Sequence, residues 1–478
     1  MIDESVGNSE MEKGLRQFLE EHSKINPVSF HMPGHKGKQF YERMGYGRVI
    51  EAFTNCDITE IPGADNLFQA EDVILQTMKK YESLYGVKKS YLLVNGSSAG
   101  IIAAVLATVP KGGKLIMARN CHKSVFNALN LGDVEPVYAL PEVENDYGIL
   151  GKVTTEEIVR CLDENPDAEA VILPSPNYYG ICSDIESISR EVHRRGKVLI
   201  VDQAHGAHLK FFDEDWCPGA SENLGADVVI NSTHKTLGSF TQTAVMNICT
   251  DCVDLNVFED KLQAIESSSP SYPLMMTLDI NADIMLEKGV ELILDWKKNL
   301  EWFYEEASKI DGLVLMNTKQ LDRTKLNIDM SAYGFDGNML ESFLMERSIF
   351  VELVSGNMVM CMTGIGNIRS DYERLIKALR ELSQSCNMTD EVMQKPAAVL
   401  TKKLEKRSVP KAREAVSLDK ACGRVCAMSI VPYPPGIPIA CPGEVLDDEV
   451  LSYIRSLRNT GEKVIGVSKD MEVWVGKE

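Results

Sequence analysis

At 478 residues the chain is too long for one ordinary hydrophobic core, and two or three domains are expected. Hydrophobic residues at 44% and charged residues at 25% are globular values. The 50 basic and 70 acidic side chains give a formal charge of -20, which argues against nucleic-acid and membrane partners yet leaves room for a phosphate held by a few local donors.

The N-terminal decapeptide is polar and acidic, unlike a secretory signal, and the longest clean apolar stretch, 101–109, is too short to span a bilayer. The 12 cysteines follow no disulfide framework and read as reduced thiols of a cytoplasmic protein. Cys249 and Cys252 form a C-x-x-C without a second pair at zinc-ribbon spacing, so no metal site is expected there.

From about residue 86 to 250, short β-branched runs alternate with helical periodicity. Strands are predicted at 91–95, 114–118, 135–139, 170–174, 197–202, 227–231 and 244–249, with helices at 97–108, 124–131, 154–163 and 183–195. Strands buried on both faces and joined by helices imply a mostly parallel sheet, which binds ligands beyond its strand C-termini. A long amphipathic helix is predicted at 278–310. It is followed by strand candidates near 313–316, 325–328 and 358–361, a charged segment of helical character at 388–419, and a proline- and glycine-rich run at 428–442. The expected division is a large domain over 1–310 and a C-terminal domain over 311–478.

Four clusters fall at predicted strand ends. V-N-G-S-S-A-G at 94–100 opens a helix whose N–H groups, with the Ser97 and Ser98 hydroxyls, suit a phosphate; an ordinary N-cap would look the same. R-N-C-H-K-S at 119–124 offers the His122 imidazole for stacking on a flat ring, or as part of a helix-capping cluster. V-L-I-V-D-Q-A-H-G-A-H at 198–208 ends an apolar strand in Asp202, a carboxylate that needs a cationic partner such as a pyridinium N–H. Ala204 is small enough to let a flat ring lie against that strand end, whereas the H-x-x-H pair His205 and His208 lacks an acidic third ligand for a metal. N-S-T-H-K-T at 231–236 places Lys235 where it can condense with an aldehyde, beside Ser232 and His234 as phosphate donors; a solvated loop is the alternative. Their order, phosphate loop, stacking residue, ring-nitrogen partner, lysine, is internally consistent.

These clusters, together with F-H-M-P-G-H-K-G at 30–37, D-I-T-E-I-P-G-A-D-N at 57–66, P-N-Y-Y-G at 176–180, S-S-S-P-S-Y at 267–272 and Y-P-P-G-I-P at 433–438, resemble the ornithine/lysine/arginine decarboxylase family of fold-type-I pyridoxal-phosphate (PLP) enzymes. The resemblance implies an α/β, aspartate aminotransferase-like large domain with a mostly parallel sheet, plus a smaller C-terminal α+β domain. It implies pyridoxal 5'-phosphate bound as a Schiff base on Lys235, Asp202 on the pyridine nitrogen, His122 on the ring, and Ser97, Ser98, Ser232 and His234 around the phosphate. A homodimer is implied, with Ser268 in the 267–269 segment reaching the partner's phosphate. The H-x-P-G-H-K-G motif begins at His31, which leaves no space for the N-terminal wing domain of larger relatives.

The implied reaction is decarboxylation of a basic L-amino acid, first arginine to agmatine in polyamine biosynthesis, then lysine or ornithine. An aminotransferase with Arg369 on the substrate carboxylate, or a non-catalytic regulatory homologue, are the alternatives. Asp57, Glu60 and Asp65 are candidates for the substrate's distal cation, or caps of the turns around Pro62 and Gly63. His31 and His35 are read as ordering the loop at Pro33 and Gly34 rather than lining a channel. The 433–438 run approaches the site mouth or serves as a rigid connection.

Overall fold

The computed structural model of the chain describes residues 14–389, 404–432, 436–459 and 463–477. Seven strands form the central sheet: β1 (Lys89–Leu93), β2 (Lys114–Ala118), β3 (Glu135–Ala139), β4 (Ala168–Pro174), β5 (Val198–Asp202), β6 (Val228–Asn231) and β7 (Ala244–Ile248). Their spatial order is β1-β7-β6-β5-β4-β2-β3. Only β7 runs antiparallel to its neighbours. The β-branched runs are buried on both faces because helices cover both sides, including α1 (Gly96–Thr108), α2 (Lys123–Gly132), α3 (Thr155–Glu164), α4 (Ile185–Arg194) and α5 (Leu255–Ile265). α3 and α4 start where a side chain satisfies an orphan N–H: Thr154 accepts from Glu157 N at 3.2 Å, and Asp184 accepts from Ser187 N at 3.0 Å.

β1 ends two residues before the predicted limit because Asn95 is drawn into the next turn, where its N–H donates to Glu266. The long helix α6 (Tyr272–Ala307) begins earlier than its periodicity suggested, since Ser271 caps it and Pro273 tolerates the first turn. A second, antiparallel sheet follows, β8 (Val314–Leu315), β9 (Lys325–Asp329), β10 (Leu353–Ser355) and β11 (Met358–Met362), in the order β8-β9-β11-β10. It packs with α6 and α7 (Arg369–Ser385) around Trp296, Leu326, Val359 and Leu379.

The helical expectation for 388–419 is corrected where the chain is described. Residues 413–417 form a strand, β12 (Arg413–Ser417), paired antiparallel with β13 (Glu472–Gly476). Exposure alternates over 413–416, with Arg413 and Ala415 exposed and Glu414 and Val416 half-buried, a two-residue period that the adjacent charges do not mark. Residues 390–403 lie outside the described part. The last helix, α8 (Asp448–Asn459), closes a separate small core with Leu418, Ile430, Leu446 and Val473.

The H-M-P-G-H-K-G loop is wedged between two other loops. Gly34 N donates to His234 O at 2.7 Å, Gly366 N donates to Gly34 O at 2.9 Å, and Ile365 N donates to Thr236 O at 2.9 Å. A Cβ on Gly34 would lie 2.4 Å from Leu237 O and Thr236 C, and one on Gly366 would lie 2.2 Å from His35 O. These are backbone atoms and cannot swing aside. The expected effect of Gly34→Ala is therefore a loss of about 1–3 kcal/mol of stability, read as a lower urea midpoint at unchanged slope.

Candidate active site

A cavity of about 340 Å³ opens beyond the C-terminal ends of the parallel strands. The loop after β1 brings Ser97 and Ser98, the loop after β2 brings His122, and the end of β5 brings Asp202, Ala204 and His205. The short helix after β6, Thr233–Thr236, brings His234 and Lys235. Thus Ser97, Ser98, His122, Asp202, Ala204, His234 and Lys235, spread over 139 positions from 97 to 235, line one space. Ser232 sits just behind that wall, fully buried, and its Oγ has no hydrogen-bond partner.

Lys235 Nζ lies 2.9 Å from His205 Nε2. Burial pulls the Lys235 ammonium below its ordinary value; Asp202 opposes that effect and Lys325 adds to it. Burial likewise pushes Asp202 up, with Lys235 opposing. Apart from Lys235, the main partner of Asp202 is the backbone N–H of Ala204, at 3.1 Å. His122 is lowered to about 3, by burial first and then by Lys235, so its ring is neutral at pH 7. Its Nδ1 accepts from Ser124 N at 3.3 Å, so this side chain both caps α2 and faces the cavity, and the two readings of the motif are compatible. His234 is lowered to about 4 by burial, and its Nδ1 lies 2.6 Å from Thr243 O, so Nδ1 carries the proton and Nε2 is bare in the neutral ring.

Side chains that sequence reasoning did not place in the site also line it, among them His205, Tyr178 and Glu352. His205 contacts Lys235, lies with its ring centre 4.5 Å from that of Tyr178 at a 51° tilt, and has a buried Nδ1 without a partner. It diverges from His208, which turns to Thr236 and Asp322 at 3.2 Å each. Glu352 is a second carboxylate on the cavity wall, alongside Asp202; it accepts from Met32 N at 2.9 Å and from the Tyr178 hydroxyl at 3.2 Å. Ile437, in the 433–438 run read either as approaching the site mouth or as a rigid connection, lines the cavity. The D-Q-A-H-G and P-N-Y-Y-G motifs held the signal for His205 and Tyr178. Glu352 follows an apolar strand with no motif around it, and nothing local could have singled it out.

Other expected site residues stand apart from this cavity. Both oxygens of Asp65 are taken up by turn N–H groups of Asn66, Glu71, Asp72 and Ile74 at 2.8–3.1 Å, which is the capping alternative. Asp57 and Glu60 are exposed and do not line the cavity. Ser268 is exposed too, although its loop is rooted at Glu266, whose buried carboxyl, raised to about 7 by desolvation, accepts from Asn95 N beside the serine loop. Arg369 stacks on Trp302 with its guanidinium carbon 3.8 Å from the ring centre and pairs with Glu373, so it does not serve this cavity. His31 and His35 bond within their own loop, to Met32 O and from Gly37 N. Residues 433–435 lie outside the described part.

The donor set suits one kind of occupant. An uncapped N-terminus of the 13-residue α1, the Ser97 and Ser98 hydroxyls and the unpaired Ser232 Oγ suit a phosphate. A buried carboxylate short of partners suits a basic ring nitrogen, and a deprotonation-prone lysine suits an aldehyde carbon. Among the described residues no helix is long and apolar enough to cross a membrane.

The family profile described as "Orn/Lys/Arg decarboxylase, major domain" matches residues 14–328, and the C-terminal domain of the same family matches 383–475. An arginine decarboxylase of Bacillus subtilis is 30% identical over 472 residues, covering 96% of each chain. An arginine decarboxylase of Bacillus anthracis is 28% identical over 480 residues, covering 96% of this chain and 95% of that one. The crystal structure of the Francisella novicida lysine decarboxylase LdcF has the same fold, with a TM-score of 0.78 at 20% identity over 97% of this chain and 80% of that one.

Proposed function

This chain belongs to the Orn/Lys/Arg decarboxylase family, and on that premise we propose that it converts L-arginine to agmatine and CO2 with pyridoxal 5'-phosphate held at Lys235. The observation that carries this reading is the convergence of Lys235, Asp202, His122 and the serine loop on one cavity that also holds a second carboxylate, Glu352.

PLP, when bound, supplies an aldehyde that captures the substrate amine and a protonated ring that withdraws electrons from Cα. Ser97, Ser98 and Ser232 would hold its phosphate. His234 would join them only with both ring nitrogens protonated, since Nδ1–H is committed to Thr243 O; an adjacent dianion favours that second proton. Asp202 would keep the ring nitrogen protonated, and the neutral His122 ring would form a flat wall beside it. Lys235 would be the group placed to return a proton to Cα, with His205 Nε2 at 2.9 Å to exchange that proton. The apolar part of the lining, with Leu150 and Pro174, limits water around the departing carboxylate.

Glu352 is the carboxylate available to the cationic end of the substrate, preoriented by Met32 N and the Tyr178 hydroxyl. The expected effect of Glu352→Gln is a rise in KM for the basic substrate of roughly thirtyfold, about 2 kcal/mol, with a smaller change in kcat. Steady-state kinetics checks it; an unchanged KM removes Glu352 from substrate recognition. We further propose that the exposed Ser268 serves the cavity of a second subunit in a homodimer.

The deciding experiment is product analysis of PLP-loaded protein incubated separately with L-arginine, L-lysine and L-ornithine. Agmatine with stoichiometric CO2 supports the proposal. Cadaverine or putrescine instead reassigns the substrate, and keto-acid release would make the chain an aminotransferase.

A further inference from the structure

Arg119 is the first residue beyond β2 and stands three positions before His122, on the same loop. Its backbone N–H donates to Ala139 O at 2.8 Å, and the residue is 5% exposed. From there the side chain crosses into the C-terminal domain. Nη1 donates to Pro438 O at 2.6 Å and Nη2 to Ile439 O at 3.1 Å, and Nη2 lies 3.6 Å from Glu444 Oε2. Glu444 is 1% exposed, and its Oε2 also accepts from Cys441 N at 2.7 Å. The guanidinium carbon stands 5.6 Å and 5.1 Å from the Phe126 and Tyr138 ring centres.

Two successive carbonyls and a carboxylate are thus gathered by one planar fork beside two aromatic rings. A lysine, with a single charged nitrogen, cannot span the same acceptors. The fork grips the loop immediately after Ile437, which lines the cavity.

We infer that Arg119 is a positioning residue which, with Glu444, clamps the C-terminal domain over the cavity, and that Ile437, held by this clamp, determines which basic side chain the cavity accepts. The inference rests on the decarboxylase reading. A buried ion pair set in place of apolar packing is weak evidence for stability, but it fixes register, and here the register fixed is that of Ile437 against the loop carrying His122.

The test compares full-length, PLP-loaded wild type with Arg119→Lys, Ile437→Ala and the double variant. It reads kcat and KM for arginine, lysine and ornithine, the cofactor absorbance, and hydrogen exchange of 436–444. Each single variant is expected to raise KM for the preferred substrate about tenfold and to narrow the preference among the three, with kcat within about threefold and cofactor absorbance unchanged. Exchange of 436–444 is expected to quicken in Arg119→Lys, and the double variant to be no worse than the more affected single, because one residue acts through the other. Additive effects, unchanged exchange in Arg119→Lys, or unchanged substrate ratios in Ile437→Ala would overturn the inference. The Ile437 variant decides alone if Arg119→Lys does not fold. A wild-type chain that makes no amine refutes the decarboxylase reading instead, and the exchange measurement still decides the clamp.

Discussion

Lys235→Ala is expected to lower amine production by roughly 10⁴-fold or more, since one side chain both carries the cofactor and returns the proton. The loss should not come from unfolding. Lys235 is buried, and burial depresses its pKa below 10.5, so in the cofactor-free protein the ammonium destabilises the native state. The sign follows from proton binding. Between the folded value and 10.5 the unfolded chain holds the proton that the folded chain has released, so the stability of the wild type rises with pH across that window. Alanine removes this slope. The measurement is product formation together with urea unfolding at several pH values, without cofactor. An inactive variant that unfolds at a similar or higher midpoint at neutral pH assigns Lys235 to the chemistry, whereas an active one would move the cofactor attachment elsewhere. Lys36, the lysine of H-M-P-G-H-K-G, is no substitute: it does not line the cavity, and its Nζ donates to His31 O and Met362 O.

Asp202→Asn should reduce kcat by roughly 10³-fold, about 4 kcal/mol of transition-state stabilisation, because an amide does not hold a proton on the ring nitrogen as a carboxylate does. Stability should move the other way. Burial raises the folded pKa of Asp202 above 3.8, so the folded state binds this proton more tightly than the unfolded state does. The wild type therefore loses stability as pH climbs from 3.8 through the folded value, and the deficit persists above it. The neutral asparagine escapes that deficit, offset in part by the loss of Lys235's counter-charge. An inactive enzyme at least as stable as wild type near pH 7 is the signature of a carboxylate kept for function. A destabilised variant of normal activity would make Asp202 structural.

Much of the large domain was legible because strand and helix periods are local properties. The runs at 114–118 and 135–139 were read at their observed limits, and the four clusters at strand ends met in one cavity. The errors have local causes. At 388–419 abundant charge was taken for a helix face, whereas 413–417 pairs as a strand with 472–476, a partner distant in sequence. Asp65, read as a possible substrate ligand, spends its carboxylate on four backbone N–H groups, a demand created by a turn whose shape the residue names alone do not reveal.

The sequence by itself determined the sheet, the family and the polar side chains that gather at strand ends, because apolar strands that end in such residues are a local pattern. Only the tertiary structure decided which distant side chains join them at the cavity or brace it. Glu352 comes to the cavity 117 positions after Lys235, and Arg119 meets Glu444 across 325 positions. A carboxylate or guanidinium is soluble anywhere on a surface and leaves no periodic mark. Its role arises only when distant segments remove it from water and set it against a specific partner.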